Sequence, residues 1–190
     1  MNNLFIPPIK CQGIKSKLVP EIKYISENTR YDRWIEPFMG SGVVGFNIRP
    51  DKAIFADSNP HLIRFYSDLQ TNKISPSIVK TFLQNEGEIL EKTEGKNYYD
   101  IRERFNNAPN SLDFLFLNRA CFNGMIRFNS KGGFNVPFCR KPNRFAQAYI
   151  TKIVNQIKNI QEIIQYKKYS FLCQPFEITL KEAGKNDLVY

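Results

Sequence analysis

Histidine occurs once in this chain, at His61, and the four cysteines (Cys11, Cys121, Cys139, Cys173) never form a C-x-x-C pair. That spacing argues against a zinc centre or a disulfide framework, and no metal site is expected. The thiols read as free in a reducing compartment, the cytoplasm. No apolar run approaches the roughly 20 residues a membrane helix needs, so no membrane partner is expected. The opening "MNNLFIPPIKCQG" has no basic flank followed by a long apolar stretch, and no secretory signal is read there. Internal repeats, low-complexity tracts and Pro/Gly/Ser linkers are also missing. With 42% hydrophobic and 24% charged residues among 190, what is left is an ordinary globular chain able to bury a real core.

The net charge of +9 is unevenly placed. Residues 111–170 carry ten basic against two acidic side chains, whereas residues 61–110 carry seven of each. A localised positive segment is the footprint of a polyanion partner, although basic surfaces are common enough that charge alone does not name one.

Hydrophobic spacing predicts a helix over Lys15–Thr29 and two helical pieces between Pro60 and about Tyr99. An amphipathic helix is predicted through Ile150, Ile153, Ile157, Ile160 and Ile164. "RWIEPF" (33–38), "KAIFAD" (52–57), "YSFLCQ" (169–174) and "DLVY" (187–190) read as short buried strands. Helices alternating with strands indicate an α/β sheet. The interval 105–145 breaks the rhythm, being aromatic, basic and rich in Asn and Gly, and reads as an inserted lobe.

After the first strand comes Gly40-Ser-Gly42-Val-Val-Gly45, a literal G-x-G-x-x-G. Glycines at that turn let a cofactor approach the backbone, and Asp57, ending the next strand 17 residues on, can accept bonds from ribose hydroxyls. The pairing favours an adenosine-containing cofactor and leaves NAD and S-adenosylmethionine to be separated. Glu36 argues against NAD, because a carboxylate beside a pyrophosphate is unfavourable, while a sulfonium and an ammonium suit it. A plain ion pair or helix-end role is the rival reading of Glu36.

Four blocks, "KCQGIKSKLVPEI" (10–22), "EPFMGSG" (36–42), "FADSNPHLI" (55–63) and "LNRACFNGMIRFNSKGGFNVPFCR" (117–140), together resemble the Dam-type adenine-specific DNA methyltransferases. That resemblance implies a Rossmann-like S-adenosylmethionine-dependent sheet. The sheet is incomplete here and carries an inserted, mostly helical and loop DNA-recognition lobe. It implies residues 1–70 as the first part of the cofactor domain, 71–148 as the lobe, and 149–190 as the return to the sheet. S-adenosylmethionine is the implied cofactor, with Cys11, Lys15, Glu36, Phe38, Gly40, Gly42, Asp57 and Phe176 around it. Cys11 stands where the family has Trp, Ile14 where it has Gly, and Pro175 where it commonly has Asp. Gly45 then reads as incidental. Double-stranded DNA is the implied partner, held by Asn123, Arg127, Asn129, Asn135 and Arg140, with GATC a loosely held target. Phe122, Phe128, Phe134 and Phe138 are expected to form the lobe's own core.

The family's catalytic Asp-Pro-Pro-Tyr is found nowhere in these 190 residues, whose only Pro-Pro is Pro7-Pro8, so no catalytic residue is assigned. The expectation is a fragment, or one half of a split enzyme completed by a second chain, marginally stable and without methyl transfer alone. A non-catalytic DNA- or cofactor-binding subunit is the alternative, and a methyltransferase acting on RNA a third reading.

Overall fold

The computed structural model describes residues 4–190. Four parallel strands, β1 (Arg33–Glu36), β2 (Lys52–Asp57), β3 (Lys168–Cys173) and β4 (Asp187–Val189), lie in the order β3-β2-β1-β4. Trp34 and Ile35 of β1 and Ala53 to Ala56 of β2 are buried, because helices cover both faces of a parallel sheet. The first strand is shorter than predicted. Pro37 follows it without an N–H, and Met39 N–H instead donates to the Ala56 carbonyl at 2.8 Å, turning the chain across the end of β2.

The predicted first helix resolves into a 3-10 turn (Ser16–Leu18) and α1 (Val19–Glu27), with α2 (Val43–Ile48) after the glycine turn. The two expected pieces after residue 60 are α3 (Pro60–Gln70) and α4 (Pro76–Lys92). Each has proline in its first turn and a side-chain cap: Asn59 accepts from His61 N–H at 3.0 Å and Ser75 from Ile78 N–H at 3.3 Å. Two more helices, α5 (Asn97–Asn107) and α6 (Ser111–Ala120), lie in the stretch expected to be a mostly helical and loop lobe, at positions the spacing did not specify. Every residue of α6 except Leu112 is buried, so it shows no apolar stripe. Arg104 on α5 locks it in place, donating to Asp113 at 2.9 Å and reaching Glu86 of α4 at 3.0 Å.

Helix α7 (Gln147–Gln165) buries Ile150, Ile153, Ile157, Ile160, Ile163 and Ile164 against α3 and α4, as its stripe predicted. A short α8 (Phe176–Lys181) connects β3 to β4. One continuous apolar cluster runs from the sheet through α3 and α6 to Phe134, Val136 and Phe138. The expected aromatic core of the 122–138 stretch needs one correction. Phe134 and Phe138 are buried and Phe128 partly so, but Phe122 is 51% exposed. The neighbouring Asn123 takes φ 54°, a left-handed turn beside which Phe122 is exposed.

Candidate functional site

Because β2 and β4 leave β1 on opposite sides, the sheet has a switch point between β1 and β4, where open α/β sheets bind ligands beyond their carboxyl ends. A cavity of about 380 Å³ lies there. Its wall includes Glu36, Phe38 and Gly40 from the turn after β1, Tyr190 from the end of β4, and Cys11 and Lys15 from the N-terminal segment. Of the eight residues assigned to a cofactor, Cys11, Lys15, Glu36, Phe38 and Gly40 meet on this wall. Gly42, Asp57 and Phe176 stand behind or beside it.

Gly40 and Gly42 have φ of 51° and 71°, backbone that a side chain would strain. Asp57 holds the turn, one carboxylate oxygen accepting from Gly40 N–H at 3.0 Å and the other from Asn59 N–H at 2.9 Å. Gly45 is not incidental. A Cβ there would sit 2.1 Å from the Phe55 ring and 2.8 Å from the Glu36 carboxylate, so α2 approaches the sheet only because this residue is glycine. Its N–H also donates to Glu36 Oε2 at 3.2 Å, as Trp34 Nε1 does at 3.1 Å.

Glu36 is buried, yet its Oε1 has no hydrogen bond among the described residues. Burial pushes its carboxyl up to about 8, against the pull of the Trp34 and Gly45 donors. A half-satisfied buried acid in a cavity wall has an oxygen left over for a donor or a cation. The Cys11 thiol is pushed up to about 12 by burial and by the nearby Asp57, which favours its protonated form. At the cavity's lip Phe38, 69% exposed, meets Phe176 with ring centroids 5.0 Å apart and the rings tilted by 32°, leaving apolar ring surface open there.

The basic segment forms a separate, adjoining face. Arg127 is clamped by Asn135: its Nε donates to the side-chain oxygen at 2.8 Å and its Nη2 to the carbonyl at 3.0 Å. Asn129 caps its own loop, its Oδ1 accepting from Lys131 and Gly133 N–H groups at 3.0 and 2.9 Å. Asn106 braces the returning strand by accepting from Phe134 N–H at 2.8 Å. Asn123 and Arg140 are exposed and both left-handed, with φ of 54° and 58°. His61 stacks on Phe128 (5.0 Å) and meets Phe105 at a tilt (4.8 Å), joining α3 to this loop.

Asn118, which the sequence reading passed over, joins the two faces. It is fully buried, accepts from Lys10 N–H at 2.8 Å, donates back to the Lys10 carbonyl at 2.9 Å, and donates to the Gly124 carbonyl at 3.3 Å. One amide thus ties the segment lining the cavity to the turn carrying Asn123. Gly124 completes the fit, since a Cβ there would meet the Lys10 side chain at 2.4 Å.

The family model described as "D12 class N6 adenine-specific DNA methyltransferase" matches residues 12–190. The chain belongs to this family. A type II methyltransferase, M1.LlaDCHI, of Lactococcus lactis subsp. cremoris is 31% identical over 97% of this chain and 63% of its own length. The DNA adenine methylase of Vibrio cholerae serotype O1 is 31% identical over 96% and 62%, and the type II methyltransferase M.MjaIII of Methanocaldococcus jannaschii 31% over 97% and 67%. The chain therefore spans less than two thirds of the length of the first two. Among the described residues, no helix of this family member is long and apolar enough to cross a membrane. Asn118 escaped sequence reading because it sits inside the apolar run "DFLFLNRA", where only the fold shows that its amide has partners on two other segments.

Proposed function

We propose that the protein serves transfer of a methyl group from S-adenosylmethionine to the exocyclic amine of adenine in duplex DNA. In this reading residues 71–148 form the DNA lobe within the α/β frame. The observation that carries it is Glu36, a buried carboxylate with one oxygen uncommitted in a cavity of about 380 Å³, joined by Asn118 to a basic, pre-clamped loop. The cavity fits the donor in volume and in chemistry. Glu36 would face its cationic end, the Gly40–Gly42 turn would admit it to the backbone, and the Phe38–Phe176 pair would take its purine. When bound, the donor supplies an activated sulfonium methyl.

On the DNA side, Arg127 presents a guanidinium already fixed in its plane, which suits bidentate contact with guanine or phosphate. Asn123, Asn129 and Arg140 supply further donors, and the exposed Phe122 beside them offers a ring on which a base can stack. None of the 190 residues forms Asp-Pro-Pro-Tyr. The acid that accepts the hydrogen bond of the target amine is therefore proposed to come from outside them, from continuing chain or from a second chain. The four free thiols suit a cytoplasmic setting.

The test combines calorimetric binding of S-adenosylmethionine and of a GATC-containing duplex with a radiolabelled transfer assay. The expected result is binding of both ligands by the 190-residue chain, and transfer to adenine only when a segment bearing Asp-Pro-Pro-Tyr is supplied. Failure to bind the donor sinks the proposal. Binding of both ligands with no transfer under any complementation would favour a purely binding subunit, the reading suggested by the missing tetrapeptide. Structured RNA bound in preference to duplex DNA would redirect the substrate.

A further inference from the structure

A second cavity, of about 410 Å³, adjoins the first and shares Cys11 and Ile14 with it. Four cations line it, Lys10, Arg119, Arg144 and Lys152, with no carboxylate among its lining residues. None of the four makes a salt bridge among the described residues. Arg119 is only 5% exposed; its Nη1 donates to the Pro8 carbonyl at 3.1 Å, while its Nε has no partner among the described residues. Arg144 donates through Nε to the Arg119 carbonyl at 2.7 Å and lies over the Tyr149 ring at 5.0 Å, which brings the two guanidinium groups together.

Clustered cations without an acid repel one another, and burial deprives them of the water that would screen them. Both the half-buried Lys10 and the buried Arg119 feel this. Burial, with Arg119 and Arg144 beside it, lowers Lys10 to about 8, and burial with Arg144 lowers Arg119 to about 10. Other arginines in the molecule meet a carboxylate: Arg104 answers the buried Asp113, and Arg33 answers Asp187 at 2.7 Å. Here the matching anion has to come from outside.

We propose that this cavity is an anion site taking a single phosphate group, held by Lys10, Arg144 and Lys152 with Arg119 behind them. Asn123 lines the same cavity, so a phosphate of a nucleic-acid strand and a free phosphate share this chemistry. The site stands on its own geometry, and only its assignment to a DNA strand rests on the proposed function.

The probe is inorganic phosphate, titrated calorimetrically into the 190-residue chain against sodium chloride of matched ionic strength. Phosphate is expected to bind where chloride does not. Lys152→Gln and Arg144→Gln should each weaken binding about tenfold, the worth of one charge-assisted contact. Lys152 is exposed and makes no hydrogen bond through its side chain among the described residues, so its variant keeps the fold even if Arg144→Gln does not. Above pH 8 the affinity should fall as Lys10 loses its proton. If a duplex displaces phosphate and Lys152→Gln lowers the salt slope of DNA binding by about one, the occupant is a strand phosphate. If DNA binds without displacing it, the occupant is a free anion. If phosphate binds and DNA does not, the anion site stands and the DNA reading falls. Phosphate binding no tighter than chloride, or an unchanged Lys152→Gln, overturns the proposal.

Discussion

Replacing Glu36 by glutamine should raise the stability of the ligand-free protein while weakening its hold on a cationic donor. The carboxyl titrates near its ordinary 4.5 in the unfolded chain and at about 8 when folded. Between those values the folded state binds the extra proton, so stability is fully present below about pH 4.5 and is lost as pH rises through 8. At about 1.4 kcal/mol per unit, the loss is on the order of 4 kcal/mol by pH 8. Glutamine keeps an oxygen for the Trp34 and Gly45 donors and carries no charge at any pH. At pH 8 its melting temperature should exceed that of the wild type by about 10 °C for a chain of this size, and at pH 5 the two should nearly coincide. Taking the difference between the two proteins cancels Lys10 and His61, both lowered from their ordinary values by burial and neighbouring arginines. Paired thermal scans from pH 5 to 8.5 make the measurement. A difference that stays constant across that range would refute the assignment of Glu36 as a buried, uncompensated acid.

The same carboxyl predicts that S-adenosylmethionine binding at pH 7 releases up to about one proton, since most Glu36 is neutral before binding and ionised after. Calorimetry in buffers of different ionisation enthalpy reads this directly, and no release in the wild type would count against it. Gly45→Ala, normally favourable within a helix, should here destabilise by about 1–3 kcal/mol because its Cβ overlaps Phe55, as judged by the urea midpoint. Asn118→Leu orphans the Lys10 amide and the Gly124 carbonyl and should cost at least about 2 kcal/mol by the same measure; a neutral variant would deny the amide its linking role. Arg127→Ala should lose about 1–3 kcal/mol of duplex affinity, and Asn135→Ala a smaller part of it by unclamping the guanidinium. Equal retention of a duplex by wild type and Arg127→Ala would remove Arg127 from the interface.

Much of the frame was legible because local chemistry and tertiary demand agree in it. Isoleucines at helical spacing marked α7, the stretch from Pro60 to about Tyr99 read as two helical pieces, and apolar runs between turns marked all four strands. The glycines after β1 announced a turn, and the placement of charge announced a basic face. Where the reading stopped short, the cause was burial on all sides. Helix α6 has no polar face to give it a period, so the spacing did not locate it within the mostly helical lobe that the resemblance implied.

The sequence by itself determined the α/β order, the glycine turn, Asp57 at the end of β2 and the basic stretch, because each depends on residues close along the chain. Only the tertiary structure decided what depends on distant segments meeting. It set Glu36 half-satisfied in a wall, made Gly45 indispensable under Phe55, turned Phe122 outward, joined Lys10 to Gly124 through Asn118, and gathered four cations around one cavity. Burial and partnership are properties of packing, and no spacing of letters contains them.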